Sequence, residues 1–506
     1  MDSHLARRNF FRLCSACAAF LGAGPRPTAK AAPQPARGAT RQRKNFVAIQ
    51  VKPYAWVDEG IDQLLDNIQQ RGAVNTVWAY TYDYSEARMR RNGPIPLPDH
   101  GVEGSPDFVG GAFYDYDPKY FKGTILNDFR SPDYGKFNVI ADVAPKLKAR
   151  GMDFFCWDYN NAVPLMNRSV PNWTKVTEID VYGRRTTSPC FNHPDYRAHL
   201  IGKIESQLSG YPGEVDGIAW GCERMGPLQN AIGGGWTTVG LSCFCEHCRA
   251  KARERGVSAA RAQRGYQLLD ELFRAAAQDK RPVDGYFVTF WRLLLDYPEI
   301  LSWEKLWTDS YHEIRAELYG TAKAIAPAKP FGFHIMQNMS FSPFYQAEED
   351  YSRTRDYTDY LKLATYNNAA GPRLASYLDR LSATIFHDAR PQDFLHFYYK
   401  IMNYQEAAYE QLHTAGLSAG YVARETKRAL AGVGDRVRIY PGIDIDVPTR
   451  LTDKRTKPDD VRKSVRAAFE AGAHGVVLSR EYVEMWNANL SAAGETLREI
   501  FARSGA

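Results

Sequence analysis

Two kinds of residue in this 506-residue chain could do chemistry, and they lie close together. One is a carboxylate, Glu223, in GCERMGP (221–227). The other is a set of thiols, Cys243, Cys245 and Cys248, in CFCEHC (243–248). A lone carboxylate is ordinarily solvated or ion-paired, and it turns catalytic only in the company of other polar groups. Such company recurs at the ends of apolar runs. It comprises Asp158, then Glu223 with Arg224, then His334, Gln337 and Asn338, then Tyr366, Asn367 and Asn368, then Asp444 and Asp446, and last Arg480 and Glu481. Amides, tyrosines and carboxylates suit a hydroxyl-rich ligand, whose groups both donate and accept. Two carboxyl groups flanking an acetal bond, one protonated and one ionised, are what cleavage of a glycosidic bond requires.

Glu223 is therefore expected as the acid/base, with partial burial raising its pKa toward that of a working acid. Asp444 is the first choice of partner carboxylate and Asp446 the second, because residues two apart share a strand face. Glu481 is the reserve. Substrate contacts are expected from Asp158, Arg224, His334, Asn338, Tyr366, Asn367, Asn368, Arg480 and Glu481.

The thiols point to a metal. A disulfide inside CxC or CxxC is strained or redox-active, and three thiols cannot all pair with one another. Tetrahedral zinc needs four ligands, and C-x-C-x-x-C offers three on one tight loop. A closed four-ligand site has no open position, so zinc here would be structural. Cys156 and Cys222 lie in apolar strands and read as core thiols. His247, beside Cys248, is a cramped rival ligand.

These residues need a scaffold that brings strand ends together. Strand-like runs over 45–56, 75–84, 152–162, 215–227, 329–340, 359–371, 437–448 and 474–482 alternate with amphipathic helical patterns, among them 60–73, 138–151, 194–212, 418–432 and 457–473. Near-continuous apolar strands separated by helices predict a parallel sheet covered on its outside. Eight such units predict closure into a (β/α)8 TIM barrel with long βα loops and a helical insertion over 246–326, after strand four. No GxGxxG or GxxxxGK[ST] follows the first strand, so neither a nucleotide-binding open sheet nor an organic cofactor is expected. In such barrels the site lies at the C-terminal ends of the strands. No repeat of fixed period interrupts the chain, and residues 45–506 are expected as one catalytic domain.

The N-terminus reads as an address. ARRNFFRL (6–13) precedes a short apolar stretch and AKA (29–31), the order of a twin-arginine signal peptide over residues 1–31. PQPARGATRQRK (33–44) reads as part of a disordered leader over 32–44. Removing 1–31 takes away Arg7, Arg8, Arg12, Arg26, Lys30 and Asp2, which cuts the formal charge from +6 to +2. Nucleic acid is accordingly not an expected partner. A carbohydrate substrate, a periplasmic or secreted location, no membrane insertion after signal removal and a possible homo-oligomer complete the expectation.

GGAFYDYDPKYFKGT (110–124), TEIDVYGRRTTSPCFNHPDYR (177–197), VDGIAWGCERMGP (215–227) and CFCEHCRAKARERG (243–256) resemble the bacterial hypothetical glycosyl hydrolases, secreted barrels related to alpha-fucosidase-like and beta-galactosidase-like enzymes. The likeness covers most of 45–490 and implies a barrel glycosidase. In the wider clan of retaining barrel glycosidases the acid/base Glu ends strand four, which Glu223 matches, and a nucleophilic Glu ends strand seven. This chain has Asp444 and Asp446 there, and Cys222 where the clan has Asn. The thiol cluster resembles that of the zinc-containing beta-galactosidases of glycoside hydrolase family 42. That resemblance implies a fourth Cys from the preceding βα loop, the place of Cys190.

Three other classes fit less well. A metal-dependent hydrolase or deacetylase needs His and Asp ligands at the strand ends, and only His334 qualifies. A non-catalytic carbohydrate-binding barrel would have no activity to lose on substitution of Glu223 and Asp444, while binding persisted. A sugar lyase or isomerase would use Tyr366 or His334 as base.

Overall fold

A computed structural model describes residues 45–84, 98–103, 108–160, 166–233 and 240–504, and the signal and leader segments lie outside them. Eight parallel strands close into a barrel: β1 (Phe46–Val51), β2 (Thr76–Tyr80), β3 (Asp153–Tyr159), β4 (Gly217–Gly221), β5 (Phe331–Ile335), β6 (Tyr360–Leu363), β7 (Arg438–Asp444) and β8 (Gly475–Ser479). They neighbour one another in chain order, and β8 returns to β1. The fold is the (β/α)8 TIM barrel.

The interior is packed with aromatic rings set against glycines. Phe155 stands directly across from Gly217, Tyr360 from Gly332 and Phe46 from Gly475. A Cβ on Gly332 would lie 2.4 Å from the Tyr360 ring, and one on Gly217 would lie 2.6 Å from Phe155. Phe46 stacks on Tyr440 at 4.1 Å, and Tyr360 meets Tyr440 at 5.3 Å. Above them Trp78 stacks on Trp157 at 5.5 Å. The floor is solid, so a ligand can approach only from the C-terminal mouth.

The strands are shorter than their apolar runs. After β1 the chain turns into the helix Pro53–Asp58. After β5 it enters the helical turn Asn338–Phe341, and after β6 the helix Asn367–Ser382. Proline at the start of the first of these helices sets helical backbone while the sequence is still apolar. Asn138 caps the helix Val139–Ala149, its side chain accepting from the amides of Ile140 and Ala141 at 3.1 and 3.0 Å. The excursion over 246–326 consists of the helices Glu246–Glu254, Ala259–Ala276, Tyr286–Asp296 and Glu299–Ile325, and the last packs on Pro194–Gly210. Among the described residues no helix is long and apolar enough to cross a membrane.

Candidate active site

Side chains alternate along each strand, and the alternation decides which polar groups enter the barrel. On β4 the inward positions are Gly217, Ala219 and Gly221, and the same parity carries on to Glu223. A Cβ on Gly221 would lie 2.8 Å from Trp157 and 3.1 Å from the Cβ of His334, so this layer admits only glycine. Glu223 rises just above it, its side chain 22% exposed.

His334, inward on β5, donates from Nε2 to Glu223 Oε1 at 2.8 Å. Lys362, inward on β6, donates to His334 Nδ1 at 3.3 Å and also contacts the Tyr366 hydroxyl. The three residues form a continuous chain from a wholly buried ammonium to a carboxylate at the surface of the mouth. The Tyr159 hydroxyl also hydrogen-bonds Glu223.

Burial alone would raise the Glu223 pKa, but the hydrogen bonds from His334 and Tyr159 and the charge of Arg373 overcome it and hold the pKa at about 2. The expected raised pKa is therefore corrected: the free protein carries an ionised Glu223. Burial first, then repulsion from Lys362, lowers His334 to about 4. His334 is thus neutral at pH 7 and acts on Glu223 through its hydrogen bond rather than through a full charge. Lys362 falls to about 7, chiefly by burial, against partial compensation from Glu223 and Glu481.

The β7 carboxylates are placed differently. Asp444 accepts from the amides of Asp446 and Val447 at 3.0 and 2.8 Å and from Thr456 Oγ1 at 2.9 Å, while its other oxygen takes the Ala369 amide at 3.0 Å. It is buried and staples the loop after β7 to the helix after β6. Asp446 pairs with Arg455, Nε lying 3.0 and 3.1 Å from its two oxygens, and accepts the Thr456 amide at 2.9 Å. Its φ of 107° is unusual for a non-glycine residue, and these bonds hold it there.

Glu481, after β8, lies at the mouth. It accepts from Tyr80 at 2.7 Å, and Lys52 stands 3.6 Å away, bridging to Asp83 at 3.0 Å. Arg480 pairs with Glu484, its Nε at 3.0 Å.

The other expected contacts divide. Tyr366 faces the mouth, its ring against Gly442. Asp158 points out of the barrel, between the inward Trp157 and Tyr159, and accepts from Thr81 and Gln207 at 2.8 and 3.0 Å. Asn367 and Asn368 open a helix and hold loops, through Leu417 and Thr456 respectively. Asn338 is buried in the turn after β5. Arg224 turns away from Glu223 and pairs with buried Glu178 at 2.6 Å beneath the Phe191 ring.

Tyr159, Lys362, Arg373 and Glu484 went unnoticed in the sequence. A lone lysine two residues after an inward aromatic, in YLKL (360–363), was a readable signal for Lys362. Arg373, on the second turn of a helix, carried none.

The thiols gather as one cluster. Cys190, Cys243, Cys245 and Cys248 are buried and unbridged, with all four Sγ atoms within 4.8 Å of one another. Cys190 lies 3.5 Å from both Cys245 and Cys248. A tetrahedron with metal–sulfur bonds of about 2.3 Å has sulfurs about 3.8 Å apart, so the set can hold a metal ion. The Asn192 amide and side chain donate to Cys190 and Cys248 at 3.3 and 3.4 Å, as thiolates require. Glu178 ties the cluster to the strand end. It pairs with Arg224 and accepts from Ser242, the neighbour of Cys243, at 2.7 Å, while Arg224 donates to the Pro189 carbonyl at 2.6 Å.

No family model matches the chain, and no curated protein matches it. Solved structures do. The beta-galactosidase of the psychrophilic Marinomonas ef1 has a TM-score of 0.52 at 12% identity, over 91% of this chain and 60% of that one. The fold is shared with glycoside hydrolases. The beta-galactosidase of Halorubrum lacusprofundi gives 0.52 at 13%, over 90% and 58%. A family 42 beta-galactosidase from G. stearothermophilus gives 0.51 at 12%, over 92% and 58%. This chain spans 56–60% of the length of such enzymes.

Proposed function

We propose that this protein is a glycoside hydrolase whose central residue is Glu223. One observation carries the reading: an inward carboxylate ends β4 at the open mouth, backed by His334 and Lys362. The barrel's likeness to glycosidases supports it. The ionised Glu223 of the free protein accepts a proton before it can protonate a leaving oxygen, and the relay supplies one. Lys362 releases a proton to His334 Nδ1, and His334 passes its Nε2 proton to Glu223. The result is a neutral amine, the other histidine tautomer and a carboxylic acid. That transfer makes the ammonium form of Lys362 the active one. Glu481 is the best-placed partner carboxylate, because Asp444 and Asp446 are committed to their loops.

The four cysteines are proposed to hold zinc, which would cross-link the antiparallel hairpin of Thr177–Ile179 and Arg185–Pro189, just before Cys190, to the loop after β4. Through Glu178 and Arg224 this fixes the backbone beside Glu223. The N-terminal signal motif supports export by the twin-arginine pathway to the periplasm or beyond. A panel of aryl glycosides tests the activity. Release of the aryl group with incorporation of solvent oxygen into the sugar is expected, and an unsaturated product would assign the protein to the lyases instead.

A further inference from the structure

We propose that the helices Tyr286–Asp296 and Pro391–Met402 form the interface of a two-fold homodimer, a second copy of this chain covering their outward apolar face. The inference stands apart from the glycosidase reading, because neither helix carries a residue of the candidate site.

The helix Tyr286–Asp296, YFVTFWRLLLD, is apolar almost all round, a composition that belongs to a helix covered on every side. Its inner face is covered, with Tyr286, Phe290 and Leu294 buried. Its outer face is open. Phe287, Val288, Trp291 and Leu295 share one side and are exposed, Trp291 by 54% and Leu295 by 67%. The helix Pro391–Met402 repeats the arrangement. Leu395 and Tyr398 are buried, while Phe397 and Ile401, four residues apart on one side, are 66% and 52% exposed. Rings join the two faces. Phe287 stacks on Phe386 at 5.5 Å, and Phe386 meets Phe394, on the same helix as Phe397, at 5.4 Å. The exposed side chains therefore make one patch rather than scattered singles.

The size of the patch selects its occupant. With aromatic side chains carrying about 200 Å² each, these six residues leave about 600 Å² of apolar surface open. The largest patch on a monomer is ordinarily about 300–600 Å², and a standard interface buries about 800 Å² on each partner. Six side chains thus supply about three quarters of what one protomer must contribute, near the apolar share of a homodimer interface. Charge points the same way. Segments 279–296 and 387–400 carry five aspartates against five lysines and arginines. Several pair where they stand: Arg281 with Asp388 at 2.6 Å, and Arg292 with Asp284 and Arg390 with Asp393 at 2.8 Å. A rim without net sign steers neither a strongly acidic nor a strongly basic partner. It also lacks the Lys/Arg-rich border by which an amphipathic helix holds to a membrane surface. Turned on itself by a two-fold axis, the surface sets apolar patch against apolar patch.

The test measures assembly, so it does not depend on turnover. Sedimentation of the purified chain from about 0.1 to 100 μM spans the range in which interfaces of this size dissociate. A monomer–dimer equilibrium with a micromolar or tighter dissociation constant is expected. Each of Trp291→Glu and Phe397→Glu should weaken it by at least roughly 30-fold, the loss that marks a central contact. Val57→Glu, exposed on the helix after β1, should dimerise like the wild type. Circular dichroism and melting temperature, taken at concentrations where every variant is monomeric, check that the monomer fold survives. If either patch variant fails that check, Leu295→Lys takes its place. Monomer at every concentration, an assembly of another size, or a dimer that survives both patch substitutions would overturn the proposal. Flotation with vesicles of neutral and of anionic phospholipid runs in parallel, and monomer carried up with lipid would overturn it in favour of a membrane surface.

Discussion

Two polar clusters flank β4, and they are built on opposite principles. In the cysteine cluster every group is covered and the neighbouring charges are closed: Arg224 has Glu178, and Asn192 serves two sulfurs. In the mouth a buried lysine and a partly exposed carboxylate are held away from their ordinary pKa values, with Glu223 at about 2 and Lys362 at about 7. The first arrangement suits stability, because a satisfied buried network rigidifies its surroundings. The second suits reactivity, because Lys362, at the head of the relay, titrates near the working pH. Glu223 and Arg224 are consecutive residues, and alternation along the chain sends one to each cluster.

The contrast can be broken from either side. Glu223→Gln should cut turnover on a poor leaving group by roughly 10²–10⁴-fold, the usual worth of a positioned acid, and leave the melting temperature near that of the wild type. Wild-type turnover in that variant would move the assignment to Glu481. Cys245→Ser should do the reverse. Metal analysis should fall from one zinc per chain toward none, and stability should drop by several kcal/mol, since structural zinc sites contribute folding energy outright. Substrate preference of the protein that still folds should change less. Metal-free wild type of full stability would refute the zinc assignment.

Lys362→Met sharpens the comparison within the mouth. Turnover should fall by roughly 10- to 100-fold, and the basic limb of the pH profile should disappear. In the wild type that limb should lie near pH 7, with activity lost as rising pH deprotonates Lys362. A basic limb that persists unchanged in the variant would show that the relay does not run through this lysine.

A further effect concerns acid stability. Burial lowers His199 to about 3, and His312 and His334 to about 4, from an ordinary 6.5. The unfolded chain therefore takes up these protons first as pH falls. Stability is fully present above pH 6.5 and is lost as pH drops toward 4, by on the order of 2 kcal/mol per histidine. Denaturant midpoints at pH 7 and pH 5 check the sign. Zinc measured in parallel separates this loss from acid release of the metal.

Barrel closure was legible in the sequence because apolar periodicity survives any detail of loop structure. The eight strands and the helices between them lie where the patterns placed them. The inward position of Glu223 was legible too, since alternation from Ala219 and Gly221 carries over two residues. The site beyond Glu223 was harder. Asp444 looks as available as Glu223 along the chain, and only the convergence of Ala369, Val447 and Thr456 on it reveals a loop staple. Asn367 and Asn368 look like strand-end amides until the strand is seen to end at Leu363. The pKa of Glu223 depends on hydrogen bonds from β5 and β3 and on the charge of Arg373 in the helix after β6, none of which is near it in sequence.

The interlocking of glycines and rings on the barrel floor has an evolutionary consequence. Phe155 with Gly217 and Tyr360 with Gly332 each share one space between two strands. Neither member can change size unless its partner changes in the opposite sense, so single-step variation is blocked there. Descendants of this chain should inherit each pair together or exchange its large and small members together. Diversification toward new substrates is then confined to the segments beyond the strand ends, such as the one that carries Glu223.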